Sequence, residues 1–337
     1  MKLEDVAQRA RVSIATVSRV VNNVGPVKNA TRARVLKAIK ELKYHPNIHA
    51  RTLAGGKSRT LGMIVSNLEN PFFLDIFRAL ESDAHRRGYE VLVANTDYQP
   101  RQLVSSVHLM IGRRLAGLAV IVSEMEPSLI QELVETNLPI CFYDVGTPSR
   151  NISNIKVKYE RGIQKVVEYL FSVGHRRMAF VGHHTDLDPM QERKRSFLDT
   201  MKRYAGQVEH AISTDRDGPT GGQQATRQLL ASGFKPTAII CVNDFMALGV
   251  VKELREHGLR VPQDVSVTGF DNIGLSEFAY PPLTTVNIPR EKIGHLAFSA
   301  LVPENEGSQA PGREYLIEPE LVIRESTGPV LQALLTG

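Results

Sequence analysis

The sequence predicts an α/β protein: an all-α helix-turn-helix head at the N-terminus, followed by a core of parallel sheets. Two patterns carry that expectation. Residues 1–45 contain three short amphipathic segments and no strand-like run, whereas from residue 60 apolar strand-like runs alternate with helix-like ones. Charge divides at the same place. Residues 1–59 hold 13 Lys and Arg against 3 Asp and Glu, and the remainder holds 28 against 33. A head of net charge +10 thus precedes a body of −5. An imbalance of that size over a whole segment points to a polyanion, of which nucleic acid is the commonest.

The chain has 337 residues, enough for more than one domain and a sizeable core. No apolar run reaches the length of a membrane span. The opening "MKLEDVAQRARV" places charges where a signal peptide needs apolar residues, so a cytoplasmic protein with no membrane partner is expected. Cys141 and Cys241 sit in the apolar runs "PICFYDV" and "AIICVN" and are expected to be buried. No Cys/His cluster accompanies them, so no disulfide, metal or cofactor is expected.

In the head, Leu3, Val6, Ala7 and Ala10 follow the spacing of one helix face. Ser13 is placed to cap the next helix, because its hydroxyl can accept from a free backbone N–H. In "SIATVSRVVN", Val17, Val20 and Val21 form an inner stripe. Ile14, Ala15, Thr16, Ser18 and Arg19 are left to be read from outside. Arginine can pair with guanine O6 and N7, and apolar side chains can meet a thymine methyl. A third helix over 31–44 turns Val35, Ile39 and Leu42 inward and its Arg and Lys residues outward.

Pro46 stops that helix, and "NIHARTLAGG" is too short to be stable as an isolated helix. Docked on DNA it would present Leu53 as an apolar wedge of the kind that opens base steps in the minor groove. "GGKS" resembles the end of a phosphate-binding loop, but the glycine required five residues before Gly56 is Arg51, and no strand precedes it.

In the body, strand-like "TLGMIVSN", "EVLVANT", "GLAVIVS", "PICFYDV", "RMAFVGH", "EHAIST", "TAIICVN" and "DVSVTGFD" alternate with helical segments. They make two runs of βα units, each long enough for its own sheet. Ligands in such sheets sit beyond the carboxyl ends of the strands. Those ends carry Asn67, Ser123, Asp144, Asn243 and Asp271. No nucleophile–histidine–acid arrangement or HExxH stands at motif spacing, and the adjacent histidines of "GHHTDLD" lack a third ligand at a recognised spacing, so no enzyme is expected.

"LEDVAQRARVSIATVSRVVN", "PNIHARTLAGGKS", "GFDNIGLSEFAYPPLTTV" and "ELVIRES" together resemble the lactose/galactose-repressor family of bacterial transcription regulators, over nearly the whole chain. The family's hinge pattern Pro-x-x-x-Ala-Arg-x-Leu is met by Pro46, Ala50, Arg51 and Leu53. The resemblance implies a DNA-binding head (1–45), a hinge (46–59) and a two-lobed, periplasmic-binding-protein-like core (60–337). The first lobe would take about 60–157 and 289–321, the second about 158–288 and 322–337. Asn47, Ala50, Leu53 and Ala54 would meet DNA with the head. The implied function is a repressor whose affinity for double-stranded operator DNA is controlled by a small effector: a sugar, sugar acid or sugar phosphate. A homodimer is expected rather than a tetramer, since no C-terminal heptad run follows. A sugar-binding transport protein shares the core fold but needs a signal peptide and no basic head.

The resemblance also assigns effector contacts: Phe72 and Phe73 after Pro71, Arg193 in "RKRSF", and Asn243 and Asp271 for hydroxyl groups. Two positions depart from it. Val157 and Lys158 stand where the family often has Asp-Asn, and Arg216 stands at or beside a common aromatic platform. Three cations, Lys158, Arg193 and Arg216, would then surround one cleft and favour an anionic sugar derivative.

Overall fold

The structure, a computed structural model, describes residues 2–22, 25–44, 58–184, 188–303 and 312–330. It divides into two compact units, Met1–Ser58 and Arg59–Gly337, which are taken separately. The expected hinge positions Asn47, Ala50, Leu53 and Ala54 lie outside the described residues.

The head contains α1 (Leu3–Ala10), α2 (Ile14–Asn22) and α3 (Asn29–Glu41). The i, i+3, i+4 stripes close a small core of Val6, Ala7, Ala10, Val17, Val20, Val35 and Ala38. Arg11 ends α1 in the left-handed region, φ 53°. The turn then delivers Ser13, whose Oγ accepts from Thr16 N at 3.2 Å and starts α2. α3 begins at Asn29, two residues before the segment read from the sequence, and Arg9 of α1 pairs with its Glu41 at 2.5 Å.

The core begins with β1 (Thr60–Val65), α4 (Pro71–Arg86), β2 (Glu90–Asn95), α5 (Pro100–Gly112), β3 (Gly117–Ile121), α6 (Pro127–Glu135), β4 (Ile140–Tyr143) and β5 (Ile152–Val157). It continues with α7 (Tyr159–Ser172), β6 (Arg177–His183), α8 (Asp188–Arg203), β7 (Glu209–Asp215), α9 (Pro219–Ala231), β8 (Ala238–Cys241), α10 (Asp244–Glu256), β9 (Ser266–Thr268), α11 (Leu275–Phe278) and β10 (Thr285–Asn287). α12 (Arg290–Leu301), β11 (Glu314–Ile317) and β12 (Glu320–Val322) complete it.

One lobe holds a parallel sheet ordered β2-β1-β3-β4-β5-β11, the other a parallel sheet ordered β7-β6-β8-β9. β10 and β12 pair antiparallel as a short ribbon. The chain leaves the first sheet after β5, returns to it through α12 and β11, and leaves again along β12. β3, β4 and β8 are buried throughout, because helices cover both faces of a parallel sheet. The strand–helix rhythm does not announce β5, since residues 144–151 join it to β4 with no helix between.

Two glycines set the geometry beneath the cleft. A Cβ at Gly222 of α9 would lie 2.1 Å from the Met246 carbonyl oxygen, and one at Gly249 of α10 would lie 1.8 Å from that of Pro219. Only glycine lets these helices pack backbone against backbone. Their N-termini, and the turns leading into them, are thereby brought side by side.

Candidate nucleic-acid interface and ligand site

In the head, α2 presents the face read from the sequence. Ile14, Ala15 and Arg19 are exposed, Ile14 by 46%, while Val17 and Val20 are buried on the opposite side. Thr16 and Ser18 are half-buried. The Thr16 hydroxyl lies 2.9 Å from Ser13 Oγ, so it takes part in the cap. An exposed isoleucine and an exposed arginine, on a helix with no acidic residue in its first turn, suit a groove that offers methyl groups and acceptors.

In the core, residues of both lobes line one cavity of about 20 Å³. Asn70, Phe72, Phe73, Tyr98, Ser123 and Tyr143 come from the first lobe, and Tyr159, Met190, Arg193, Asn243 and Asp271 from the second. The volume admits about one water. A larger surface groove of about 640 Å³ runs between Leu259 and Tyr280. Its cations are committed to the protein: Arg255 donates to the Tyr280 carbonyl and Arg260 to Asp264.

Asn70 caps α4 by accepting from Phe72 N at 3.1 Å, which turns two consecutive phenylalanines inward. Both are buried, and Phe72 meets Phe73 and Tyr143 edge-on, with centroids 5.2 and 6.0 Å away. Ser123 donates its backbone N–H to Ser66 Oγ at 2.9 Å, and the Ser66 hydroxyl donates in turn to the buried Glu124 at 2.6 Å. The carboxyl ends of β1 and β3 are thus tied together behind the cavity.

Arg193 of α8 is the charged centre. Its guanidinium lies between the rings of Tyr159 and Phe270, 4.4 and 4.6 Å from their centroids. One terminal nitrogen donates to the Val242 carbonyl at 2.9 Å, and the other stands 3.6 Å from Asp271 Oδ1. That separation is within ion-pairing reach of an ionised carboxyl and leaves a hydrogen bond unmade. Arg193 Nε and Asp271 Oδ1 are both buried without a hydrogen-bond partner. Burial opposes the arginine's charge, but Tyr159, Asp271 and Tyr143 hold its pKa above the ordinary value. Burial pushes Asp271 up to about 8 against the opposing pull of Arg193. Near neutral pH this carboxyl can therefore donate as well as accept. Asp271 also has a left-handed backbone, φ 104°, which its surroundings must hold in place.

Asn243 is held at both ends of its amide by the protein. Its Oδ1 accepts from Met246 N at 2.7 Å as the cap of α10, and its Nδ2 donates to Asp217 at 2.9 Å. Asp144 stands outside the cavity lining, where it accepts from Val157 N at 2.7 Å and from the Tyr159 hydroxyl. Burial raises it to about 7, and its contacts position Tyr159 where the chain passes between lobes. Asn67 accepts from Glu69 N in the turn after β1.

The expected ring of three cations is not formed. Lys158 precedes α7 and its ammonium pairs with Glu318, which also takes Arg161 at 3.1 Å. Glu318 stands between β11 and β12, so the sheet's last crossing draws Lys158 away from the cavity. Arg216 is exposed, and neither residue lines the cavity. Arg193 is the lone cation among the described lining residues. Sequence reasoning missed Asn70, Tyr98, Tyr143, Tyr159 and Met190. The strand-end rule that selected Asp144 would equally have selected Tyr143 beside it. Of the paired histidines, His183 is half-buried and His184 exposed, and no group of three His, Cys, Asp or Glu is arranged for a metal among the described residues.

Comparison with known proteins bears on both units. Residues 2–47 match the family of bacterial regulatory proteins, lacI family, and residues 167–327 match a periplasmic binding protein-like domain. The chain is 31% identical over 326 residues to the HTH-type transcriptional repressor PurR of Photobacterium profundum, covering 96% of this chain and 98% of that one. It is 33% identical to the HTH-type transcriptional repressor CytR of Escherichia coli, covering 96% of each. Among solved structures it resembles the lac repressor dimer bound to operator and the anti-inducer ONPF, at 31% identity and a TM-score of 0.83, covering 97% and 99% of the two chains. It also resembles the regulator CelR in complex with cellobiose, at 27% identity and a TM-score of 0.67, again covering 97% and 99%. Head, two-lobed core and full-length similarity agree: the chain belongs to the LacI family of bacterial regulatory proteins.

Proposed function

We propose that this DNA-binding transcriptional repressor works as a dimer whose operator affinity is set by a small neutral ring bearing hydroxyl groups, a sugar or a nucleoside, held at Arg193 and Asp271. The family's repressors are not enzymes, and the chemistry asked of this site is recognition. The basic head, matched to a regulator family, sets the chain apart from a transport protein of the same core fold.

The observation that carries the effector reading is the pair of buried, unpartnered atoms, Arg193 Nε and Asp271 Oδ1. A buried polar atom without a partner is costly, and one hydroxyl answers both: it accepts from the guanidinium and donates to the carboxyl. Phe72 and Tyr143 supply apolar surface for a ring. With Lys158 and Arg216 elsewhere, no surplus of positive charge remains to demand an acid or a phosphate. A solved relative named as a cellobiose complex supports a sugar-like ligand. A ring needs a site of roughly 300 Å³ or more, so the lobes must part to admit it. It moves the heads only if it favours one lobe arrangement over the other. Two identical heads in a dimer would read inverted half-sites, as suits a relative solved as a dimer on its operator.

Calorimetry with matched pairs tests the ligand class: an aldose against its aldonate, a nucleoside against its monophosphate. The neutral member of a pair should bind more tightly and Arg193→Met should abolish binding. Tighter binding of the acids would restore the anionic reading.

A further inference from the structure

Tyr98 reaches from the first lobe into the second. It stands in the turn after β2, and its hydroxyl donates to Asp217 Oδ2, in the turn after β7, at 2.8 Å. The other oxygen of Asp217 accepts from Asn243 Nδ2 at 2.9 Å, and Asn243 is itself pinned by capping α10. The Tyr98 ring contacts aromatic side chains of both lobes: Phe73 of α4 at 6.5 Å and His183 of β6 at 5.2 Å between centroids. Its backbone is held in a rarely used conformation. Asp97 and Tyr98 are both left-handed, at φ 52° and 56°, and Tyr98 N donates to the Ser66 carbonyl at 3.2 Å. A bulky residue adopts that conformation only where its surroundings hold it. The same side chain is part of the wall of the Arg193–Asp271 cavity.

We propose that Tyr98 and Asp217 form an interlobe latch, a direct protein-to-protein hydrogen bond that must break before a ligand enters the cleft and that sets how readily the core opens. The proposal rests on reading that cavity as the effector site. It also narrows the ligand chemistry. Both oxygens of Asp217 accept hydrogen bonds here, so a ligand that displaces Tyr98 must bring a donor of its own. Hydroxyl and amide groups do so, whereas a phosphate or carboxylate would set acceptors against acceptors. Tyr98 is thus a determinant of both affinity and ligand class, although nothing in the turn "NTDYQP" marks it as one.

The test needs no effector, so it stands apart from the identity of the ligand. Met190 is buried in the cavity wall, and Met190→Cys places a thiol there. Its rate of reaction with a disulfide reagent, in the full-length protein, reads the opening of the cleft. The native Cys241, buried in β8 within the second sheet, reads unfolding of the core in the same experiment. Tyr98→Phe keeps the ring and deletes the donor. Hydrogen bonds to carboxylates are among the stronger ones, so labelling of the introduced thiol should rise roughly ten- to a hundredfold while Cys241 is unchanged. Asp217→Ser, too short to reach Tyr98, should do the same, and the double variant should add nothing further. An unchanged rate, additive effects, or parallel acceleration of Cys241 would overturn the latch.

Discussion

Replacing Asp271 with Asn should leave the core nearly as stable as before at pH 5 and make it more stable at pH 8. Asp271 is only 3% exposed, and burial raises it to about 8 even with Arg193 beside it. In the unfolded chain the same carboxyl titrates near 3.9. Between those two values the folded state holds a proton that the unfolded state has released. Stability therefore falls as pH rises, by about 1.4 kcal/mol per unit, and levels off above the folded value. From pH 5 to pH 8 the loss is roughly 3.6 kcal/mol. Asparagine has nearly the shape of the protonated acid and no proton to lose, so Asp271→Asn removes this slope. Asp144, raised to about 7, and Asp244, raised to about 6, both by burial, titrate with the same sign and leave a shallower slope behind. Urea unfolding of wild type and variant at pH 5, 6, 7 and 8 measures the difference directly. The curves should diverge with rising pH, the variant above. Parallel curves, or a wild type that gains on the variant as pH rises, would mean that Arg193 holds Asp271 ionised and would refute the reasoning.

Other outcomes follow from the two units. Arg19→Ala should cost about 1–3 kcal/mol of operator binding and relax the preference at one base pair. A loss equal on all sequences, with a shallower salt dependence, would make Arg19 a phosphate contact. Ser13→Ala should destabilise the head by about 1 kcal/mol through loss of the α2 cap, seen as a lower melting temperature of the head in calorimetry. Lys158→Ala should leave effector affinity unchanged, because its partner is Glu318; a tenfold loss by calorimetry would bring it back to the site. Leu53→Ala, in the expected hinge, should weaken specific binding and reduce DNA bending in a gel-shift assay with permuted sites, and unchanged bending would remove the proposed wedge.

Local periodicity was enough for most of the fold. The valine stripe of α2, the Ser13 cap and the exposed Ile14 and Arg19 depend on neighbours three or four residues away, and such spacings are visible in a string. Alternating strands and helices likewise announced parallel sheets, and a rule about strand ends brought Ser123, Asn243 and Asp271 to one cavity. The same rule admitted Asp144, which instead braces Tyr159.

By itself, then, the sequence determined the helix-turn-helix head, its positive charge, the βα order of the core and the level in the sheets at which the candidate cavity lies. Those properties reside in short-range pattern and composition. Only the tertiary structure decided which side chains share the site. β5 joins its sheet without a helix before it, and the crossing beside β11 takes Lys158 to Glu318. Close packing of α9 on α10 at Gly222 and Gly249 brings Asp217 beside Asn243, and two left-handed residues swing Tyr98 across to meet it. These partners are distant along the chain, and their meeting depends on sheet order, helix approach and backbone turns that no local spacing encodes.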